Sequence, residues 1–222
     1  MKLYVIGDIH GCYNEMMTML NMIEGHAGND PHKIVFVGDY IDRGPDSASV
    51  LDELVKRSKD PNYVFLCGNH DLMPFQDKMT WAMNGAAETL KSYQNGAYPD
   101  EYFPEEHINF LKSTKLFYQH WIPSENRYII CVHAGIDPDL PIEDQGEFFM
   151  VWSRSMVGYK EDYFDNYFVV HGHTPLKGEV LHTNNTLNID TACVFGYNLT
   201  CAVFDNSTNP EYLTVKSGFK YT

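Results

Sequence analysis

The sequence predicts an α/β fold in which two mixed β-sheets pack face to face, with helices outside. Three observations lead there. The first 67 residues alternate apolar strand-like runs with helical periodicity, the carboxyl half is mostly strand-like runs with short turns, and five polar segments each follow an apolar run. The early alternation is a βαβαβ pattern, which implies a parallel sheet with right-handed crossovers. The strand-rich remainder then supplies a second sheet.

Taken in order, Leu3 to Ile6 reads as the first strand. Tyr13 to Ile23 places Met16, Met17, Leu20 and Ile23 at helical spacing. Ile34 to Val37 is apolar throughout, as expected of a strand buried on both faces. Pro45-Asp46-Ser47 signals a helix start, with Val50, Leu51, Leu54 and Val55 on one face. Tyr63 to Cys67 is the third strand. Residues 74 to about 125 read as a helical excursion, a lid or specificity region. Its aromatic residues (Trp81, Tyr93, Tyr98, Tyr102 and Phe103) are expected mainly in the core, with a substrate platform as the alternative. Further strands are expected at Tyr128–Val132, Phe168–Val170, Glu179–His182, Thr186–Ile189, Leu199–Phe204 and Tyr212–Val215.

Composition narrows the function. With 222 residues, 44% apolar and 14% aromatic, the chain can bury a full core, so disorder is excluded and one domain over residues 1–222 is expected. Thirty acidic residues against 16 basic give a net charge of −14, which repels phosphate backbones and argues against nucleic-acid binding. Apolar runs are far shorter than the roughly 20 residues a membrane helix needs. The amino terminus turns polar at Asp8, too early for a signal peptide, so the expected location is the cytoplasm. Cys12, Cys67, Cys131, Cys193 and Cys201 form no CxxC pair and read as buried, reduced thiols.

The polar segments carry the chemistry. They are Gly7-Asp8-Ile9-His10-Gly11, Gly38-Asp39-Tyr40-Ile41-Asp42-Arg43-Gly44, Gly68-Asn69-His70-Asp71, His133-Ala134-Gly135 and His171-Gly172-His173-Thr174. In α/β sheets, sites form just beyond the carboxyl ends of strands. Brought together, these carboxylates would repel one another unless cations lay between them. Carboxylate, imidazole and amide oxygen without thiolate suit two divalent metals of the Mn, Fe or Zn type. Asp8 and His10 alternate across Ile9 and can grip one ion, Asp39 can bridge, and Asn69, His133 and His173 can complete the second. A metal pair can hold a phosphoryl oxygen and acidify a water.

In order and in context, the five segments resemble the signature blocks of PPP-type serine/threonine phosphoprotein phosphatases, within the wider calcineurin-like metallophosphoesterases. The length and the His133-Ala134-Gly135 block are similar to the short bacterial and phage branch. The resemblance implies a four-layer metallophosphoesterase fold. It implies that Asp8, His10 and Asp39 hold the first of two divalent ions, and Asp39, Asn69, His133 and His173 the second. Manganese is the expected metal, with Fe, Zn or Ni also compatible. His70 matches the general acid, Asp42 the carboxylate that orients it, and Arg43 a phosphate clamp, with Arg154 as the candidate second clamp. The implied activity is hydrolysis of phosphate monoesters, phosphoserine or phosphothreonine in proteins first, by direct attack of a metal-bridging hydroxide. The implied partner is a phosphorylated protein or small phosphoester. The alternative is a dinucleoside polyphosphate hydrolase of the diadenosine tetraphosphate type, since such relatives share the same blocks.

Two details refine the resemblance. Asp71 stands where many relatives have Glu, which keeps the charge and shortens its reach. Thr174-Pro175 follows His173 where diesterases end in Gly-His-x-His, which favours the phosphatase branch over the diesterases. His171 is expected to support the site from behind.

Overall fold

A computed structural model describes residues 1–93, 103–157 and 166–221. The elements run β1 (Lys2–Ile6), α1 (Tyr13–Ala27), β2 (His32–Phe36), α2 (Ser47–Arg57), β3 (Tyr63–Phe65), α3 (Asn69–Gln76), α4 (Lys78–Met83), α5 (Ala86–Tyr93) and α6 (Glu105–Ser113). Then follow β4 (Phe117–Ile122), β5 (Arg127–Val132), α7 (Glu147–Trp152), β6 (Tyr167–His171), β7 (Leu181–His182), β8 (Thr186–Asn188), β9 (Asn198–Phe204) and β10 (Glu211–Lys216). They form two five-stranded sheets, ordered β10-β9-β1-β2-β3 and β4-β5-β6-β8-β7. Both are mixed. β1, β2 and β3 run parallel, β9 runs antiparallel to β1, and β10 runs antiparallel to β9. β5, β6 and β8 run parallel, with β4 and β7 as antiparallel edges.

The period of two in a strand decides what each face meets. Leu3, Val5, Val35 and Val37 turn toward the second sheet and pack with Ile129, Cys131, Phe168 and Val170. Tyr4, Ile6, Ile34 and Phe36 turn the other way, under Met16, Met19, Leu20 and Ile23 of α1 and Val50, Leu51 and Leu54 of α2. Both faces are covered, so these strands show no polar alternation. Each fully buried side chain of α1 contributes roughly 1.5–3 kcal/mol. On the outer face of the second sheet, Ile130, Val132 and Val169 pack against Ile142, Met150, Val151 and Met156. Helices, sheet, sheet and a thinner outer layer give the expected architecture.

The excursion differs from expectation in one respect. Its helices are present, but Phe117–Ile122 is a strand, the antiparallel partner of β5. β4 is a half-buried edge strand in which Gln119 and His120 interrupt the apolar run, so it lacks the signal that marked the others. Trp81, Tyr93 and Phe103 are buried at 2%, 8% and 3% exposure, which makes them core. Tyr98 and Tyr102 lie outside the described residues. No described helix is long and apolar enough to cross a membrane.

Candidate active site

The five polar segments lie at the carboxyl ends of β1, β2, β3, β5 and β6, and they meet. The His173 backbone N–H donates to the Asp8 carboxylate at 3.0 Å, tying the end of β6 to the end of β1. His133 Nε2 lies 3.4 Å from Asp39 Oδ1, tying β5 to β2. Glycine makes two of these approaches sterically accessible. A Cβ on Gly172 would collide with the Asp8 carboxylate, and one on Gly68 with that of Asp39.

Asp39 is central. Its Oδ2 faces His10 Nε2 at 3.3 Å, and its Oδ1 faces His133 Nε2. It belongs to both of the side-chain groups here that could hold an ion, His10–Asp39–His70 and Asp39–His133–His173. Asp39 thus turns one oxygen toward each group, so it would be able to serve both. Asn69 Oδ1 adds to the second group, 3.1 Å from His133 Nε2 and 2.9 Å from His173 Nδ1.

The donor set fits cations better than hydrogen bonds. His133 Nδ1 donates to the Val37 carbonyl at 3.0 Å, which leaves Nε2 as a lone pair. That lone pair, the Asn69 oxygen and His173 Nδ1 converge within 3.2 Å of one another with at most one proton among them. His10 is fixed the same way, with Nδ1 on the Ile41 carbonyl at 2.8 Å and Nε2 turned inward. Backbone fixing of the outer nitrogen is how imidazole ligands are usually oriented toward metals. Arg43 Nη1 approaches His10 Nε2 at 2.9 Å, so a bound cation would have to displace the guanidinium from that lone pair.

Electrostatics point the same way. Burial, then the charges of Asp190 and Asp39, push the Asp8 carboxyl well above its usual range. Burial also opposes ionisation of Asp39, but the imidazoles of His133, His70 and His10 hold it well below. Burial and neighbouring His133 push His173 down to about 3, and burial lowers His133. Neutral imidazoles beside crowded carboxylates are an environment that divalent charge would relieve.

Beside this cluster stands His70. Its Nδ1 donates to Asp42 Oδ2 at 2.8 Å. Burial lowers its pKa, while Asp39 and Asp42 pull it back up. Asp42 is fully buried, and its other oxygen accepts from the Trp81 indole and the Thr89 hydroxyl, each at 2.8 Å. The excursion thus grips the acid partner of His70. Asp71 does something different: it accepts from the backbone N–H groups of Gly68, Asp39 and Tyr40 at 2.8–2.9 Å, clamping the second and third segments together. Arg154 is exposed and donates to Thr174 Oγ1 at 2.9 Å, next to His173.

Backbone strain gathers here as well. Eight described non-glycine residues have positive φ, and His10, Asp39, Asp42, Arg43 and His173 are five of them. Such conformations cost about 1–3 kcal/mol each and persist where surrounding structure enforces them.

The structure brings His10, Asp39, Asn69, His133, His173, His70, Asp42 and Arg43 together, sets Asp8 against the His173 backbone N–H outside both ion-holding groups, and leaves Arg154 on Thr174. The sequence missed the support of Trp81 and Thr89, which are distant in the chain. It also missed Asp190, a buried carboxyl pushed up to about 6 by burial, whose charge acts on Asp8. Asn188-Ile189-Asp190-Thr191 ends β8 as the other segments end their strands, but without the glycine that marked them.

Comparison with known proteins agrees with this geometry. The family model for calcineurin-like phosphoesterases matches residues 1–204. The chain is 30% identical to the bis(5'-nucleosyl)-tetraphosphatase PrpE [asymmetrical] of Oceanobacillus iheyensis, over 98% of this chain and 93% of that protein. Among solved structures, one provisionally assigned as a diadenosine tetraphosphatase superposes with TM-score 0.69 at 22% identity, covering 97% of this chain and 93% of the other. A serine/threonine phosphatase from Saccharomyces cerevisiae superposes with TM-score 0.66 at 17% identity, covering 97% and 80%. Both superpositions speak to the fold. The chain therefore belongs to the calcineurin-like phosphoesterase family, hydrolases of phosphate esters that work with divalent metals.

Proposed function

We propose that this chain hydrolyses dinucleoside polyphosphates of the diadenosine tetraphosphate type, cleaving them asymmetrically. One observation carries this: end-to-end similarity, at 30% identity over 98% of the chain, to a relative bearing that activity in its name. The phosphoprotein reading rests on motifs that both kinds of enzyme share, and its structural support is similarity of fold. Dinucleoside polyphosphate therefore replaces phosphoserine as the leading substrate class. The five buried cysteine thiols are compatible with a cytoplasmic setting.

In this reading Asp8, His10, Asp39, Asn69, His133 and His173 hold two divalent ions, manganese in the first instance. Bound divalent ions supply charge neutralisation and lower the pKa of water. Arg43 and Arg154 bind equatorial phosphoryl oxygens with their planar guanidinium groups. His70 gives a proton from Nε2 to the leaving oxygen as the phosphorus–oxygen bond breaks, and water supplies the new oxygen. Asp42 holds Nδ1–H, so that the ring presents Nε2 to the site.

Turnover of diadenosine tetraphosphate and of a phosphoserine peptide by the Mn²⁺-loaded protein tests the proposal. The expected result is a higher kcat/KM for the dinucleotide, with ATP and AMP as products. A higher kcat/KM for the peptide, or two ADP as products, overturns it.

A further inference from the structure

A dinucleotide has bases as well as phosphates, and of the aromatic residues that the sequence offered for a base, Tyr98 and Tyr102 lie outside the described residues. Trp81, Tyr93 and Phe103 are buried. An aromatic surface beside the centre lies on α7. Phe148 is 75% exposed. Its ring stacks on that of Trp152, one turn along the helix, with centroids 6.5 Å apart and planes 23° apart. Trp152 in turn meets His173 edge-on at 6.3 Å. Two residues further on, Arg154 is hydrogen-bonded to Thr174.

The helix is held in register with the centre. The Ala134 N–H, adjacent to His133, donates to the Met150 carbonyl at 2.7 Å. The Gln76 amide donates to Glu147 at 3.1 Å, joining α7 to the helix that begins at Asn69. Met150 and Val151 are buried at 1% exposure, so the inward side of α7 is fixed while Phe148 faces water. One short stretch therefore offers a flat aromatic face, a second ring touching a candidate ligand, and a cation. A nucleotide has the complementary order: a flat base, then an anionic phosphate.

The geometry points to Phe148 and Trp152 as a stacking platform for the nucleobase of a nucleotide whose phosphate lies at the Asp39 centre. This rests on the nucleotide reading above and adds to it the residues that would select a base. Every base has a π face, so such a platform favours nucleotides over base-free phosphates without choosing among bases. A stacked base is worth roughly tenfold in affinity at the modest end of the known range.

Calorimetric titration of the Mn²⁺-loaded protein with AMP and with ribose 5-phosphate tests this, because the two share the ribose and phosphate and the second carries a hydroxyl in place of the base. AMP is expected to bind about tenfold more tightly. Phe148→Ala is expected to erase that margin and Phe148→Tyr to keep it. Phe148 is exposed, so the alanine variant should fold, which a thermal melt checks. Equal affinity for the two ligands, or an unchanged margin in Phe148→Ala, overturns the platform. The outcome is independent of turnover. Hydrolysis of diadenosine tetraphosphate without an AMP margin rejects the platform alone. An AMP margin without that hydrolysis rejects the proposed activity and supports the platform.

Discussion

Two of the histidine–aspartate pairs in this molecule look alike at first. His70 Nδ1 bonds Asp42 at 2.8 Å, and His107 Nε2 bonds Asp52 at 3.0 Å. Both imidazoles are buried, and burial lowers the pKa of both. The difference lies in what else each partner touches. The second nitrogen of His107 is taken by the Tyr93 hydroxyl at 2.8 Å, so the ring is a link in a structural chain. His70 sits edge-on to His10, with ring centroids 4.7 Å apart, inside the cluster that faces Asp39. Asp52 is 57% exposed, whereas Asp42 is fully enclosed and held by Trp81 and Thr89. A His–Asp pair is thus no signature of catalysis. What sets the His70 pair apart is a buried carboxylate fixed from behind and an imidazole turned toward the candidate ion-holding cluster.

The largest expected effect follows directly. His70→Asn should lower kcat by about 10²–10⁴-fold, the usual contribution of a general acid, with metal content unchanged. His107→Asn should leave kcat near wild type and lower the melting temperature. Steady-state kinetics with metal analysis on both variants decides it, and equal losses of kcat would break the distinction.

Much of this contrast was legible in the sequence, for a physical reason. His70 sits at a strand end beside Gly68 and Asn69, where backbone geometry is written in local residue types. His107 lies in no such segment. The strands of the parallel core were legible because burial on both faces leaves an uninterrupted apolar run. Edge strand β4, half exposed and carrying Gln119 and His120, was not. Contacts made by distant residues were also invisible. Nothing near Trp81 announces that its indole reaches Asp42, 39 positions away. Phe148 drew no notice because exposure is a property of the folded surface, not of a pattern.

A third buried imidazole, without an acid partner, sharpens the comparison. His171 Nε2 has no hydrogen-bond partner, and burial pushes the pKa of the ring down from 6.5 to about 4. The unfolded chain therefore takes up this proton more readily than the folded one. Stability from this group is intact above pH 6.5, falls as pH drops toward 4, and levels off below that. The drop amounts to about 3 kcal/mol across that window. Urea unfolding of the metal-free protein at a series of pH values should show His171→Gln losing less stability than wild type by that amount. Identical pH slopes would remove His171 as the cause.

A smaller effect is expected at the back of Asp42. Trp81→Phe removes one donor to a buried carboxylate while keeping an aromatic ring in the core. Hydrogen bonds to charged groups are worth about 1.5–3 kcal/mol, so kcat should fall roughly tenfold, with KM little changed. The pH profile of kcat should shift with it, because the carboxylate that holds His70 has lost a partner. A loss confined to thermal stability would reduce Trp81 to a core residue.

The smallest effect completes the contrast. Asp52→Asn removes the exposed carboxylate from His107, and exposed pairs contribute under about 1 kcal/mol. Stability should fall within that bound. Activity should stay near wild type, because Tyr93 still holds the other nitrogen of His107 and the centre is reached by neither partner. Asp42→Asn, the matching change in the other pair, should cost far more kcat at an unchanged chain charge difference of one. Measuring the two asparagine variants side by side isolates burial and position from the chemistry of the pair itself. If they lose activity equally, enclosure of the carboxylate is not what distinguishes them.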